Sequence, residues 1–365
     1  MAASSRFPLL SWTTIAPVLG VLLLALAWGR DLAPVLVALV AVVLAATVLA
    51  AVHHAEVVAL RVGEPFGSLV LAVAVTIIEV ALIVTLMVSG GPEASSLARD
   101  TVFAAVMITT NGIVGVALLL GALKHGTTLF NAEGSGGALA TVITLATLTL
   151  VLPTFTTTTP GPEFSGPQLA FAALASLALY AMFVFTQTVR HRDFFLPVTE
   201  DGVIESEEHA EAPSGRAALA SLGLLLVALV AVVGLAKIES PAIEAGVRAA
   251  GFPQSFVGVV IALLVLLPET IAAARAALRD RIQTSLNLGY GSAIASIGLT
   301  IPTIALATVW LDGPLLLGLG PMQMTLLLLA VLVSVLTVVP GRATRLQGGV
   351  HLVLLAAFLF LAVNP

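Results

Sequence analysis

The chain has 365 residues, of which 59% are apolar and only 10% charged, and its mean hydropathy is +1.12. Soluble domains carry roughly 25% charged residues, so a water-soluble globule is excluded and most of the chain belongs in a lipid bilayer. A net charge of −5 offers no nucleic-acid partner, and the absence of cysteine excludes disulfides and thiol chemistry.

Apolar stretches long enough to cross a bilayer, about 20 residues each, fall near 12–28, 32–52, 66–89, 101–122, 138–155, 168–189, 217–237, 254–274, 286–310, 319–338 and 346–362. None alternates with period 2, so a helical bundle is expected rather than a barrel.

The first stretch has features of a signal peptide: Arg6 precedes an apolar run from Val18, and Ala25-Leu26-Ala27 resembles a cleavage motif. A polytopic chain needs no removable signal, so residues 1–30 are read as an uncleaved leading helix. His53, His54 and Glu56 follow the second stretch as HHAE, which lacks the HExxH spacing of a zinc peptidase and reads as solvated interface. The third stretch carries Glu79 and the fourth carries Thr109, Thr110, Asn111, Gly112 and Gly115. The threonine run Thr156–Thr159 reads as a helix end.

Between the sixth and seventh stretches lies the longest polar segment, 190–216. It holds Glu200, Asp201, Glu205, Glu207, Glu208 and Glu211 together with His191 and His209, and reads as a solvated cytoplasmic loop. The eighth stretch carries Glu269. The ninth carries Ser292, Ser296 and Thr300, spaced by four on one face, with Asn287 as a helix-start residue. His125 and His351 fall near span ends.

Basic residues orient the chain. With the N-terminus in the cytoplasm, eleven of the fifteen Lys and Arg residues face that side and only Arg30, Arg99, Lys237 and Arg248 face the other. The positive-inside rule therefore predicts an N-inside, C-outside protein. Setting the leading helix aside leaves five spans in 31–189 and five in 217–365, a 1+5+5 arrangement. The third and eighth stretches begin Phe66-Gly67 and Phe256-Val257-Gly258, each carries one acid, and each precedes a polar-flecked helix. An odd number of crossings separates them, so the two halves are related by inversion, as in many secondary transporters.

Glu79 and Glu269, one in each half of the chain, read as the only acids set deep within apolar stretches. A carboxylate in hydrocarbon costs about 2.5–3.5 kcal/mol on insertion scales and is rarely retained without a use. Two of them at similar depth repel when ionised. Relief comes from a proton on each, one divalent cation, or one or two monovalent cations. Proton and metal then compete for the same oxygens, which is the chemical basis of antiport. Calcium takes roughly 6–8 oxygens, so further ligands are expected from Thr76, one turn before Glu79, from Thr110 and Asn111, from Ser292 and Ser296, and from the carbonyl that Pro268 frees one turn before Glu269.

The stretch from Gly63-Glu-Pro-Phe-Gly to Ile78-Glu79-Val80 resembles the first conserved repeat of ChaA-type calcium/proton antiporters. Leu267-Pro268-Glu269 with Gly291-Ser-Ala-Ile-Ala-Ser-Ile-Gly-Leu-Thr-Ile-Pro302 resembles the second. The likeness, to the cation/calcium exchanger superfamily, spans nearly the whole chain. It implies an all-α 1+5+5 inverted-repeat exchanger of the bacterial inner membrane, with Glu79 and Glu269 as the cation-binding pair. It also implies no resident cofactor, Ca2+ and H+ as cargo, and Na+ or K+ as further substrates. Where relatives of the CAX type show Gly-Asn-Ala-x-Glu, this chain has Thr76-Ile-Ile-Glu79 and Leu266-Leu-Pro-Glu269. The expected function is export of Ca2+ in exchange for protons. The rival within transport is Na+ or K+ exchange for protons, and the rivals outside it are a passive channel and an intramembrane enzyme with an acidic dyad.

Overall fold

The computed structural model describes residues 11–30, 32–63, 66–89, 95–198, 212–310 and 313–365. Among them eleven helices follow one another: α1 Trp12–Ala27, α2 Pro34–Val62, α3 Phe66–Ser89, α4 Leu97–His125, α5 Ala132–Thr154, α6 Gly166–Arg190, α7 Gly215–Ala249, α8 Phe256–Ala277, α9 Ile282–Ala307, α10 Pro321–Val338 and α11 Arg345–Val363. Ten are long and apolar enough to cross a membrane, and the eleven fall on the eleven apolar stretches. The 16 residues of α1 span about 24 Å at the helical rise. Two short strands, β1 Thr128–Leu129 and β2 Arg342–Ala343, pair antiparallel and tie the turn after α4 to the turn before α11.

Helix ends follow from local chemistry. Pro34 and Pro321 open α2 and α10, where a missing N–H is no loss. Gly126, at φ 85°, stops α4 in the left-handed region that only glycine adopts freely. Two helices run well past their apolar stretches. α2 continues to Val62 rather than stopping at 52, and α7 to Ala249 rather than 237. The 35 residues of α7 measure about 52 Å against a hydrocarbon layer of about 30 Å. Backbone bonding carries a helix beyond the lipid boundary that hydropathy marks.

The chain divides into two compact units, each drawing on residues before and after the polar 190–216 segment. The first is Met1–Thr85 with His209–Ile243. Within it α1 packs on α2: Thr47 Oγ1 donates to the Ala16 carbonyl at 3.3 Å, and Gly20 faces Thr47 and Ala231 with no room for a side chain. His54 of α2 is buried. Its Nε2 lies 2.9 Å from the Thr13 carbonyl of α1 and its Nδ1 3.2 Å from Ser221 Oγ of α7. His53 and Glu56 are exposed, whereas the expectation of an interface residue fails for His54. Because α2 continues through this segment, one helical face carries His54 inward.

The second unit is Leu86–Glu208 with Glu244–Pro365. Its centre is α9, with Tyr290, Ile294 and Ile297 fully buried, and α9 lies against α4, α5, α6 and α8. Glycines set the closest approaches. A Cβ on Gly258 of α8 would lie 2.7 Å from the Thr101 backbone nitrogen of α4. Asn287 is not a helix-start residue: it stands inside α9, past the first turn, where its Nδ2 donates to the Phe195 carbonyl at 2.6 Å and its Oδ1 accepts from Gln283 at 2.9 Å. Leu174, Leu336, Val353 and Phe360 face outward, as a lipid-solvated surface requires.

Candidate functional site

The two glutamates occupy equivalent places on their helices. Glu79 follows Phe66, the first residue of α3, at the same spacing at which Glu269 follows Phe256, the first residue of α8. At the helical rise each acid sits about 20 Å along its helix, a little past the middle of α3 and of α8. Each helix also opens on a glycine pressed against a neighbouring backbone: a Cβ on Gly67 would lie 2.6 Å from the Ala59 carbonyl oxygen, the counterpart of the contact at Gly258.

Glu79 belongs to the first unit and is 4% exposed; Thr76, one turn before it, is also buried. Glu269 belongs to the second unit and is half-buried. It follows Pro268, which stands inside α8 and leaves the Leu264 carbonyl without its helical N–H donor.

The second unit also brings together the helices of the other expected ligands. α8 lies against α4 and α9 and touches the π-helical turn Ile108–Ile113 that interrupts α4. Such turns insert one extra residue, leave a carbonyl outside the regular ladder and recur at functional sites. Thr109, Thr110 and Asn111 are all buried there. Thr109 Oγ1 donates to the Ala105 carbonyl at 2.7 Å and Thr110 Oγ1 to the Val106 carbonyl at 2.6 Å, the usual bonding of membrane threonines to their own helix. On α9, Ser296 and Thr300 are buried and Ser292 half-buried. No three acidic or histidine side chains cluster among the described residues.

Two further acids, outside the middle of the apolar stretches, are buried as well. Glu239, 3% exposed, lies inside the extended α7, beyond the apolar stretch from which the span was read. Asp100 lies in the first turn of α4, paired with Arg99 at 2.8 Å and accepting from Ser96 Oγ at 2.8 Å. His351, placed near a span end by sequence, is wholly buried in α11. Only helix packing reveals these three. Arg6, Glu64 and Pro65 of the first motif, and the acidic residues of 200–211, lie outside the described residues.

Among the described residues, eleven helices, ten of them apolar enough to cross a membrane, define a polytopic membrane protein, with an acid in the same register on two of the helices. The chain belongs to the sodium/calcium exchanger family, whose model, described as "Sodium/calcium exchanger protein", matches residues 32–189 and 220–364. It is 46% identical to y4hA of Sinorhizobium fredii over 99% of this chain and 98% of that protein. It is 34% identical to the sodium-potassium/proton antiporter ChaA of Escherichia coli over 94% of each. Among solved structures it is similar to native YfkE, with a TM-score of 0.71 and 16% identity over 97% of this chain and 99% of that one, a likeness of fold. The chain is an integral membrane antiporter of the cation/calcium exchanger superfamily.

Proposed function

We propose that this antiporter moves Ca2+ out of the cytoplasm in exchange for protons, with Glu79 and Glu269 as the shared cation and proton site. The observation that carries this reading is the common register of the two acids, Phe66 to Glu79 matching Phe256 to Glu269 on helices that open alike. In the proposed topology an odd number of crossings separates α3 from α8, so the helices run in opposite directions and both acids reach the same depth. Facing the cytoplasm, the deprotonated pair loads the cation; facing outward, it releases the cation as protons arrive. Thr76, Thr110, Asn111, Ser292, Ser296 and the Leu264 carbonyl supply auxiliary oxygens. Neither acid is catalytic, and lipid and transported cations are the only partners the reading requires.

In everted vesicles containing the protein, added Ca2+ should discharge an imposed pH gradient, and the rate should saturate with Ca2+. A Ca2+ flux that ignores the pH gradient would overturn the reading in favour of a channel. A second reading, exchange of Na+ or K+ for protons, is favoured by the 34% identical relative, a sodium-potassium/proton antiporter. Proton flux driven by Na+ or K+ and unaffected by Ca2+ would select it.

A further inference from the structure

Inside the second unit one chain of hydrogen bonds links three helices, and each of its protons can be placed. Thr110 Oγ1 donates to the Val106 carbonyl at 2.6 Å, since a carbonyl only accepts. Its oxygen is then left to accept, which fixes Asn111 Nδ2 as the donor 3.0 Å away and turns Asn111 Oδ1 toward α11. Oδ1 also only accepts, so the ring nitrogen 3.2 Å from it, Nδ1 of His351, must carry a proton. In a neutral imidazole Nε2 is then the acceptor, and Thr337 Oγ1 of α10, 3.1 Å away, donates to it. Donation runs in one direction, from Thr337 through His351, Asn111 and Thr110 to Val106. His351 and Asn111 are both wholly buried, so no water competes for these bonds.

Thr110 and Asn111 of this chain stand on the π-helical turn Ile108–Ile113, which lies against α8, the helix of Glu269, and against α9. A π turn sacrifices regular bonding and persists where surrounding contacts hold it. From this geometry we infer that His351 is a positioning residue for cation binding: its Nδ1–H fixes the Asn111 carboxamide, and with it the π turn, while touching no cation itself. One lone pair of Asn111 Oδ1 is taken by His351, and the other remains to accept. The inference rests on the proposal that Asn111 supplies an oxygen to the cation.

The test measures proton flux in proteoliposomes with Ca2+ and Na+ as separate probes. In His351→Leu the apparent KM for the transported cation should rise roughly three- to tenfold with the maximal rate within about twofold, the loss of about one hydrogen bond. His351→Asn, whose amide nitrogen can stand where Nδ1 stands, should recover most of that affinity. His351→Gln, which reaches the Nε2 position, should not. Nitrogen NMR of histidine-labelled protein should show one signal, absent from His351→Leu, of an imidazole protonated at Nδ1. An unchanged KM in His351→Leu overturns the inference, as does equal behaviour of the Asn and Gln variants or a proton found on Nε2. Should the leucine variant fail to fold, the Asn and Gln pair and the NMR signal still decide. Glu79→Gln measured alongside separates the two claims: coupled flux surviving that change sinks the paired-acid site itself, whatever His351 does.

Discussion

A neutral amide in place of the carboxylate of Glu79 or Glu269 keeps the size and removes the charge. Glu79→Gln and Glu269→Gln should therefore insert and fold as the parent does, since the expensive group has gone. Each should abolish coupled flux, because an amide neither releases a proton nor offers a negative oxygen. Size-exclusion profiles and vesicle flux measured together check both halves of this expectation. Asp in either position keeps the charge but draws it back by one methylene, so flux should persist with weaker cation affinity. Because protons and cation compete for the same oxygens, the apparent KM for Ca2+ should rise as pH falls on the loading side. The rise should approach tenfold per unit if one proton competes and a hundredfold if two do, and a KM flat between pH 6 and 9 would remove proton competition from the mechanism. Both acids were legible in the sequence because a charged residue stands out in an apolar run. Glu239, His54 and His351 were not, because their burial depends on which helix face meets a neighbour and on helices continuing past the lipid boundary.

At the level of helices, the like openings of α3 and α8 have a mechanical meaning. Gly67 and Gly258 each bring a backbone against a neighbouring backbone, and backbone cannot turn aside as a side chain can. Gly258→Ala would put a methyl group 2.7 Å from Thr101 N and 2.8 Å from the Asp100 carbonyl carbon, forcing α8 away from α4. The expected cost is about 1–3 kcal/mol, read as a lower melting temperature in detergent. Gly137, inside α5 and with nothing near its would-be Cβ, is the control. Ala there should leave stability unchanged or raise it by about 0.5–1 kcal/mol through helix propensity. A Gly258→Ala variant as stable as the Gly137→Ala variant would show that the close approach is not needed. The repeated Phe-Gly starts and the acid-bearing helices were readable from residue pattern. The π turn in α4 was not, because Ile108–Ile113 looks like any threonine-flecked helix, and only its backbone hydrogen bonds give away the extra residue.

For the molecule as a whole, charge sets two further expectations. The basic residues favour an N-inside, C-outside chain, so a reporter fused after Pro365 should be active outside the cytoplasm and one inserted in the 200–211 segment should be active within it. The reverse pattern would invert the direction of export without touching the site. The transported charge then decides the stoichiometry. Two carboxylates that alternate between one Ca2+ and two protons carry the same charge each way, so the cycle moves none across the membrane. Exchange for a single proton would move one positive charge per cycle, opposed by about 2.3 kcal/mol per 100 mV of negative interior, which shifts the equilibrium Ca2+ ratio about fiftyfold. In proteoliposomes clamped with potassium and valinomycin, the Ca2+ gradient reached at a fixed pH difference should therefore be the same at 0 and −100 mV. A shift near fiftyfold would mean that the pair releases one proton per ion, and that one of the two acids keeps its proton, or its negative charge, throughout the cycle.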